Sequence, residues 1–501
     1  MQTLDRLSFL DLKQALISGA IVSEEVAYHF ILKARETNPD LNAIVLDRYE
    51  KALGEAKAAD ESLRNGSRPG KLHGLPITIK ECLDLAGTPS TFGLLRRKQD
   101  IPSESDPYVA ALQAAGAIIL GKTNVSQMLM FLETENPVYG TTNNPHSPIH
   151  SPGGSSGGEG AIVAAGGCIA GLGTDIGGSV RIPAAFSGIC SIKPTMDRCP
   201  DHARFIPNQP DLPVKSVTGI LAREVDALES LLGVINPGSA TPIPDSREVP
   251  IDKLRVGYFF SDNLFEPMSA IRATVEEAVQ IVRSAGAEVV AFEPPNLAEA
   301  EEIYFRILAA NKGELFAGNL QNDKPVPQAA GLVRLARAGS LARRTLRILA
   351  SAAGQRSLSR IIPYFGGSGS AYIEEWAARQ SSYIERYLSA MSDSPIGRLD
   401  AVISPVCAVP AYLHRTADRL GLGGTYCLQH NLTGFPAGVA TLRAIRPYEA
   451  IARPLAADLS VRTAARTEAA SAALPLAVQV AGRPWEEHKV LALIRLLHRQ
   501  I

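Results

Sequence analysis

Apolar residues recur at steps of three and four along residues 1–40, with Leu10, Leu12 and Leu16 in one run and Val26, Ala27, Phe30 and Ile31 in the next. That period predicts two helices packed as an N-terminal hairpin. Beyond Leu72 the period drops to two: Leu75, Ile77 and Ile79 alternate with Pro76, Thr78 and Lys80. This is the pattern of a strand, and it ends in a lysine. DPYVAALQAAG then reads as a helix and AIILG as a short buried strand. LRVGYFF followed by ATVEEAVQIVRSAG repeats the alternation, and AVISPVCAVP and LPLAVQVAG read as late strands of the same sheet. Strand and helix in alternation predict an α/β architecture.

Two segments break this rhythm. Residues 151–194, SPGGSSGGEGAIVAAGGCIAGLGTDIGGSVRIPAAFSGICSIKP, are dense in glycine, which marks backbone built to turn and to approach something closely. Residues 331–362, GLVRLARAGSLARRTLRILASAAGQRSLSRII, carry seven arginines and no acid. Leu332, Leu335, Ala342, Leu346 and Leu349 recur there at helical steps, and Arg334, Arg337, Arg344 and Arg347 avoid that stripe. A basic amphipathic helix suits an interface with anionic lipid, whereas a solvated face is what charge runs usually are. Gly339 and Gly354 weaken any single long helix here. The Pro-rich stretch PGSATPIPDSREVP, residues 237–250, reads as a surface excursion.

Composition narrows the function classes. The 501 residues are 46% hydrophobic, enough for a large core and incompatible with a disordered or fibrous chain. Fifty Lys plus Arg against 51 Asp plus Glu leave a net charge of -1, which removes the global electrostatic case for nucleic acid. Cys82, Cys168, Cys190, Cys199, Cys407 and Cys427 lack CxxC spacing, so neither a disulfide framework nor a zinc site is expected and a reducing cytoplasm fits. The opening MQTLDRLSFLDLKQ has an acid at Asp5 and no long apolar run, unlike a signal peptide. The longest uncharged apolar stretch, 160–174, falls short of the roughly 20 residues of a spanning helix.

Three motifs bear on chemistry. GAIILGKT, residues 116–123, fits the P-loop pattern, but its middle residues are themselves the strand, and a phosphate cradle needs a free loop there. Gly154-Ser155-Ser156-Gly157-Gly158 fits the GxSxG nucleophile elbow, with His414, His430, His488 and His498 downstream as bases. No bulky strand precedes it and no acid partner is evident. The third constellation joins Lys80 after GLPITI, Ser155 in PGGSSGGEG and Ser179 in GTDIGGSVRIPA. Acyl transfer needs a nucleophile, a base and oxyanion donors, and these segments supply all three without histidine. The turn Ile176-Gly177-Gly178-Ser179 can present consecutive amides to one developing charge. A lysine acts as base only when neutral, and moving its pKa from about 10.4 toward 7 costs roughly 4 to 5 kcal/mol, which requires burial. On the residue chemistry alone, a strand-end lysine and two small turn serines remain an equally open description.

The stretch from Gly74 to Thr195 resembles the amidase signature family, with GLPITIKE and GGSSGG…GTDIGGS…RIPA in order and 24 residues between the two serines. GKTNVSQ, SGICSIKPT, FPAGV and LPLAVQVAGRPWEE extend the resemblance over most of the chain. Glu81, Cys82, Glu159 and Ile176 are in the style of the fatty acid amide hydrolase branch. The resemblance implies a single large α/β domain over 1–501, with a mixed central sheet of about ten strands covered by helices. Within it, residues 1–40 are the helical hairpin, 70–230 the catalytic core and 331–365 a substrate-entry or membrane cap. It implies Ser179 as nucleophile, Ser155 as bridging serine with a cis bond to Gly154, and Lys80 as base. The amides of Ile176, Gly177, Gly178 and Ser179 would form the oxyanion hole. Ser155 and the backbone near Leu129 would contact substrate, and neither metal nor organic cofactor is implied.

The implied reaction is hydrolysis of a linear amide with a lipophilic acyl group through an acyl-enzyme. The alternatives are transfer of the acyl group to an amine in place of water and service as an amidotransferase A-type subunit. That type usually has a polar residue where Ile182 follows Arg181. The membrane enzymes of the resembling branch carry an N-terminal spanning helix that this sequence lacks. A nucleotide-binding protein is the rival from a different class. The expected partners are a small-molecule amide, a membrane surface met through 332–362 and a second copy of the chain, with no nucleic acid. The expected place is the cytoplasm, with peripheral membrane contact.

Overall fold

A computed structural model describes residue 4 and residues 7–200, 212–236, 241–313 and 318–500. Asp5 and the first four residues of the Pro-rich stretch, 237–240, lie outside the described residues. The strands in chain order are β1 (Ile44–Asp47), β2 (Pro76–Lys80), β3 (Ile118–Thr123), β4 (Glu135–Asn136), β5 (Gly140–Thr141), β6 (Ala170–Asp175) and β7 (Cys190–Lys193). They continue with β8 (Val217–Ala222), β9 (Arg255–Tyr258), β10 (Glu288–Ala291), β11 (Ala401–Pro405), β12 (Ala437–Ala444) and β13 (Pro475–Gly482). Strands β4 and β5 form a small ribbon, and the rest form one 11-stranded mixed sheet in the order β1-β3-β2-β6-β8-β7-β12-β13-β11-β9-β10. The late strands complete the same sheet as the strands that precede the Pro-rich stretch.

All five residues of β2 are buried, so both faces of the alternating 75–80 segment are covered. The strand lies between β3 and β6, parallel to both, with helices over the sheet. Parallel pairing of Ile79 with Leu172 brings the carboxyl ends of β2 and β6 to the same edge. Ligands bind at that end in open α/β sheets.

The first two helices are Phe9–Ser18 and Ser23–Leu41. The second lies along the Tyr49–Arg64 helix, and the first packs on Val225–Leu232, where Glu224 accepts from the Phe9 amide at 3.1 Å. Phe9 takes the core position expected of Leu10, which is exposed. The arginine-rich segment is three helices, Pro327–Arg337, Ser340–Ala352 and Arg356–Ile361, broken at Gly339 and Gly354. Gly354 has φ +71°, a left-handed conformation that glycine adopts without strain.

Candidate active site

Lys80 ends β2 and is fully buried. Its Nζ lies 2.7 Å from Ser155 Oγ, 2.9 Å from Thr174 Oγ1 and 3.2 Å from the Thr174 carbonyl. Two parallel strands therefore deliver the lysine and Thr174, and the glycine-dense loop between them in sequence delivers Ser155. The Gly154–Ser155 peptide is cis. A Cβ on Gly154 would stand 2.4 Å from the Phe131 carbonyl oxygen, so only glycine lets this loop press against segment 131–133.

Ser179 is 5% exposed and follows β6 in the turn before the Arg181–Ser187 helix. The Ser156 amide donates to the Ser179 carbonyl at 3.2 Å, which ties the two serine loops together. Asp175 fixes the turn from inside, accepting from the amides of Gly178 at 2.7 Å and Val180 at 3.1 Å. Arg181 binds the same carboxylate with Nε at 3.0 Å and Nη2 at 2.9 Å, and Asn431 Nδ2 donates to it at 3.0 Å. Burial by itself would raise the Asp175 pKa, but the charge and hydrogen bonds of Arg181 outweigh it and hold the carboxyl well below its usual range.

The amides of the turn expected to hold the oxyanion differ in their partners. Gly178 N–H is spent on Asp175, whose carboxylate is a strong acceptor inside the same turn. Among the described residues the amides of Ile176, Gly177 and Ser179 donate to no protein acceptor. Tyr304, on the Leu297–Leu308 helix, donates its hydroxyl to the Ile176 carbonyl at 2.9 Å. Leu129 sits in a short turn where it and Met128 both have positive φ, 58° and 56°. Ser126 Oγ closes that turn on the Phe131 carbonyl at 2.8 Å, the same carbonyl that abuts Gly154.

The rival motifs are placed as well. The P-loop candidate is strand β3, and its Lys122 is buried with Nζ on the Pro89 carbonyl at 2.6 Å and Ser90 Oγ at 2.9 Å. Ser156, the elbow candidate, is buried with its hydroxyl on the Thr174 carbonyl at 3.4 Å. The candidate histidines lie elsewhere: His414 meets the Pro148 carbonyl, His498 the Thr441 amide, and buried His430 has no hydrogen-bond partner for either ring nitrogen among the described residues. His488 stands on the Glu487–Leu497 helix with Nδ1 likewise without one.

Sequence reasoning assigned no role to Thr174, Tyr304 or Glu159. Thr174 lies within GTDIGGS and follows from the strand register. Glu159 is a buried acid that accepts from Thr78 Oγ1 at 2.6 Å and Thr123 Oγ1 at 2.8 Å, and burial pushes its pKa up to about 8. Tyr304 is 125 residues from Ser179 and belongs to no motif, so no local signal points to it.

A family model described as Amidase matches residues 25–491. Fatty-acid amide hydrolase 1 of Sus scrofa is 31% identical over 97% of this chain and 84% of its own length. The A-type subunit of the glutamyl-tRNA(Gln) amidotransferase of Synechococcus sp. is 27% identical over 86% of this chain and 89% of its own. The solved structure of a fatty acid amide hydrolase superposes with a TM-score of 0.84 at 23% identity, covering 99% of this chain and 85% of that one.

Proposed function

The chain belongs to the amidase signature family and is an amide hydrolase, and from that premise we propose that it cleaves a linear amide with a lipophilic acyl group through Ser179, Ser155 and Lys80. The observation that carries the reading is the buried Lys80 Nζ at 2.7 Å from Ser155 Oγ, beside the turn that bears Ser179. A neutral amine has two hydrogens and one lone pair. To take the Ser155 proton, Lys80 must be that neutral amine with its lone pair turned to the Ser155 hydroxyl, a state in which its hydrogens can still serve Thr174.

The reaction then runs through that relay. Ser179 Oγ attacks the amide carbon while its proton passes to Ser155, whose own proton passes to Lys80. The carbonyl oxygen becomes an oxyanion held by the amides of Ile176, Gly177 and Ser179. Collapse breaks the C–N bond as Lys80 returns a proton through Ser155 to the departing amine. Water, deprotonated by the same relay, attacks the acyl ester and releases the carboxylic acid and Ser179.

The lipophilic acyl group is supported by two features outside the relay. The relative from Sus scrofa is a fatty-acid amide hydrolase by name. The Ser340–Ala352 helix keeps Leu341, Leu346, Ile348 and Leu349 exposed and buries only Ala350, the reverse of an ordinary cover helix. Its neighbour Pro327–Arg337 sets Val333 in a small apolar cluster with Met128, next to Leu129. We therefore read 331–365 as a cap that meets an anionic lipid surface and leads to the leaving-group side of the site. No helix among the described residues is long and apolar enough to cross a membrane.

Labelling with a fluorophosphonate and mapping the adduct tests the nucleophile, and the adduct is expected on Ser179. A series of amides of increasing acyl length tests the substrate class: efficiency should climb with length, each buried methylene being worth roughly 0.8 kcal/mol. A flat series would move the enzyme to a small soluble amide. An amidotransferase role, suggested by the Synechococcus relative, would instead show partner chains that co-purify.

A further inference from the structure

We propose that Tyr304 is a positioning residue for the oxyanion, acting through the peptide that joins Ile176 to Gly177. The inference deepens the proposed function and rests on its assignment of that turn. Tyr304 lies 4% exposed on a helix remote in sequence, and its hydroxyl donates to the Ile176 carbonyl at 2.9 Å. The contact is close on both sides of the peptide: a Cβ on Gly177 would stand 2.5 Å from the same hydroxyl oxygen. Burial and the Asp175 charge push the phenol pKa upward, so the hydroxyl remains a donor.

In a planar trans peptide the C=O of one residue and the N–H of the next point in opposite directions. The Ile176–Gly177 peptide is trans, so holding the Ile176 oxygen toward Tyr304 turns the Gly177 N–H to the opposite side. Two consequences follow. The orientation of the Gly177 amide is set before substrate binds, which is the condition for electrostatic stabilisation without reorganisation. The amide is also polarised, because a peptide that accepts at oxygen donates more strongly at nitrogen. Gly178, whose amide is tied to Asp175, cannot share this work as freely, which concentrates the demand on Gly177.

The helix has a second anchor that provides an internal control. Glu301, one turn before Tyr304, is buried and accepts from Arg360 Nε at 2.7 Å, away from the Ile176 turn. Glu301→Gln should lower the melting temperature without touching the oxyanion.

The decisive variant is Tyr304→Phe, which keeps the ring and removes the donor. Its kcat for amide hydrolysis should fall about 10-fold with KM within about 2-fold, less than the 10²–10³ lost when a direct oxyanion donor is removed. Affinity for a ketone analogue of the amide, which adds reversibly to the serine as a hemiketal, should fall by the same factor. Affinity for the corresponding alcohol, which cannot form the adduct, should not move. Unchanged kcat and unchanged ketone affinity would overturn the inference, as would an equal loss in Glu301→Gln. The fluorophosphonate adduct on the parent enzyme separates the two levels. An adduct on Ser179 with a silent Tyr304→Phe sinks the positioning role alone, whereas an adduct on another serine sinks both it and the reading it rests on.

Discussion

The catalytic edge of the sheet and the arginine-rich segment treat side chains in opposite ways. At the sheet edge, Lys80, Ser155, Thr174, Asp175 and Arg181 are polar and buried, and each finds hydrogen-bond partners at 2.7 to 3.2 Å. In the Ser340–Ala352 helix, four large apolar side chains are exposed while the same chain buries its other cores well. Burying an unpaired polar group costs free energy, so the first region must be fully specified by partners. Exposing apolar surface also costs, and that cost is the ground for proposing that the second region meets a lipid surface. The first is therefore read from its internal bonds, and the second from what it lacks.

Substitutions can break this contrast at either end. The largest effect is expected from Lys80→Ala, which should cut turnover by about 10³- to 10⁴-fold with the circular dichroism spectrum unchanged. Near-parent activity would remove lysine from the relay. Next is Asp175→Asn, which leaves the Arg181 guanidinium buried without its counter-charge and should cost about 3 to 5 kcal/mol in urea unfolding. A loss under about 1 kcal/mol would mean that the turn is held by its backbone alone.

A pH series sharpens the buried side of the comparison. Glu159 has its pKa raised from 4.5 to about 8, so between those values the folded chain keeps a proton that the unfolded chain has lost. Stability from this group is whole at low pH and declines as pH rises through that window, by up to about 1.4 kcal/mol per pH unit. Glu159→Gln removes the slope, so its unfolding free energy relative to the parent should improve steadily from about pH 5 to about pH 8. Parallel curves would mean an already ionised carboxylate.

The smallest effect on stability belongs to the cap. Replacing Leu346 and Leu349 by serine should change unfolding by about 0.5 kcal/mol or less, because both side chains are already exposed. Long-chain turnover and salt-sensitive binding to anionic vesicles should fall together, with short amides spared. A large stability loss would show instead that the helix packs against its own chain.

Much of the fold was legible in the residues alone, the roles proposed for the site residues came from the family resemblance, and the limits have physical causes. The alternation at 75–80 was enough to place Lys80 at a strand end, yet not to show that both faces of the strand are covered, since burial depends on neighbours distant in sequence. Helical steps in 332–349 predicted amphipathic helix correctly, but they carry no sign of which face meets protein; Leu335 went inward and Leu346 outward. The two N-terminal helices were likewise legible, but not their packing on Tyr49–Arg64 and Val225–Leu232, because a helix pattern says that a stripe needs cover and leaves open what supplies it.

By itself the sequence determined the α/β alternation and the glycine-dense loops, since both depend on local period and turn chemistry, and it offered Lys80, Ser155 and Ser179 as candidates whose roles only the family resemblance implied. Only the tertiary structure decided that Gly178 gives its amide to Asp175, that Thr174 shares the lysine and that Tyr304 reaches the Ile176 carbonyl. Hydrogen bonds act over about 3 Å and take no account of distance along the chain. Partners 128 residues apart, such as Tyr304 and Ile176, meet because the sheet and its covering helices bring them together.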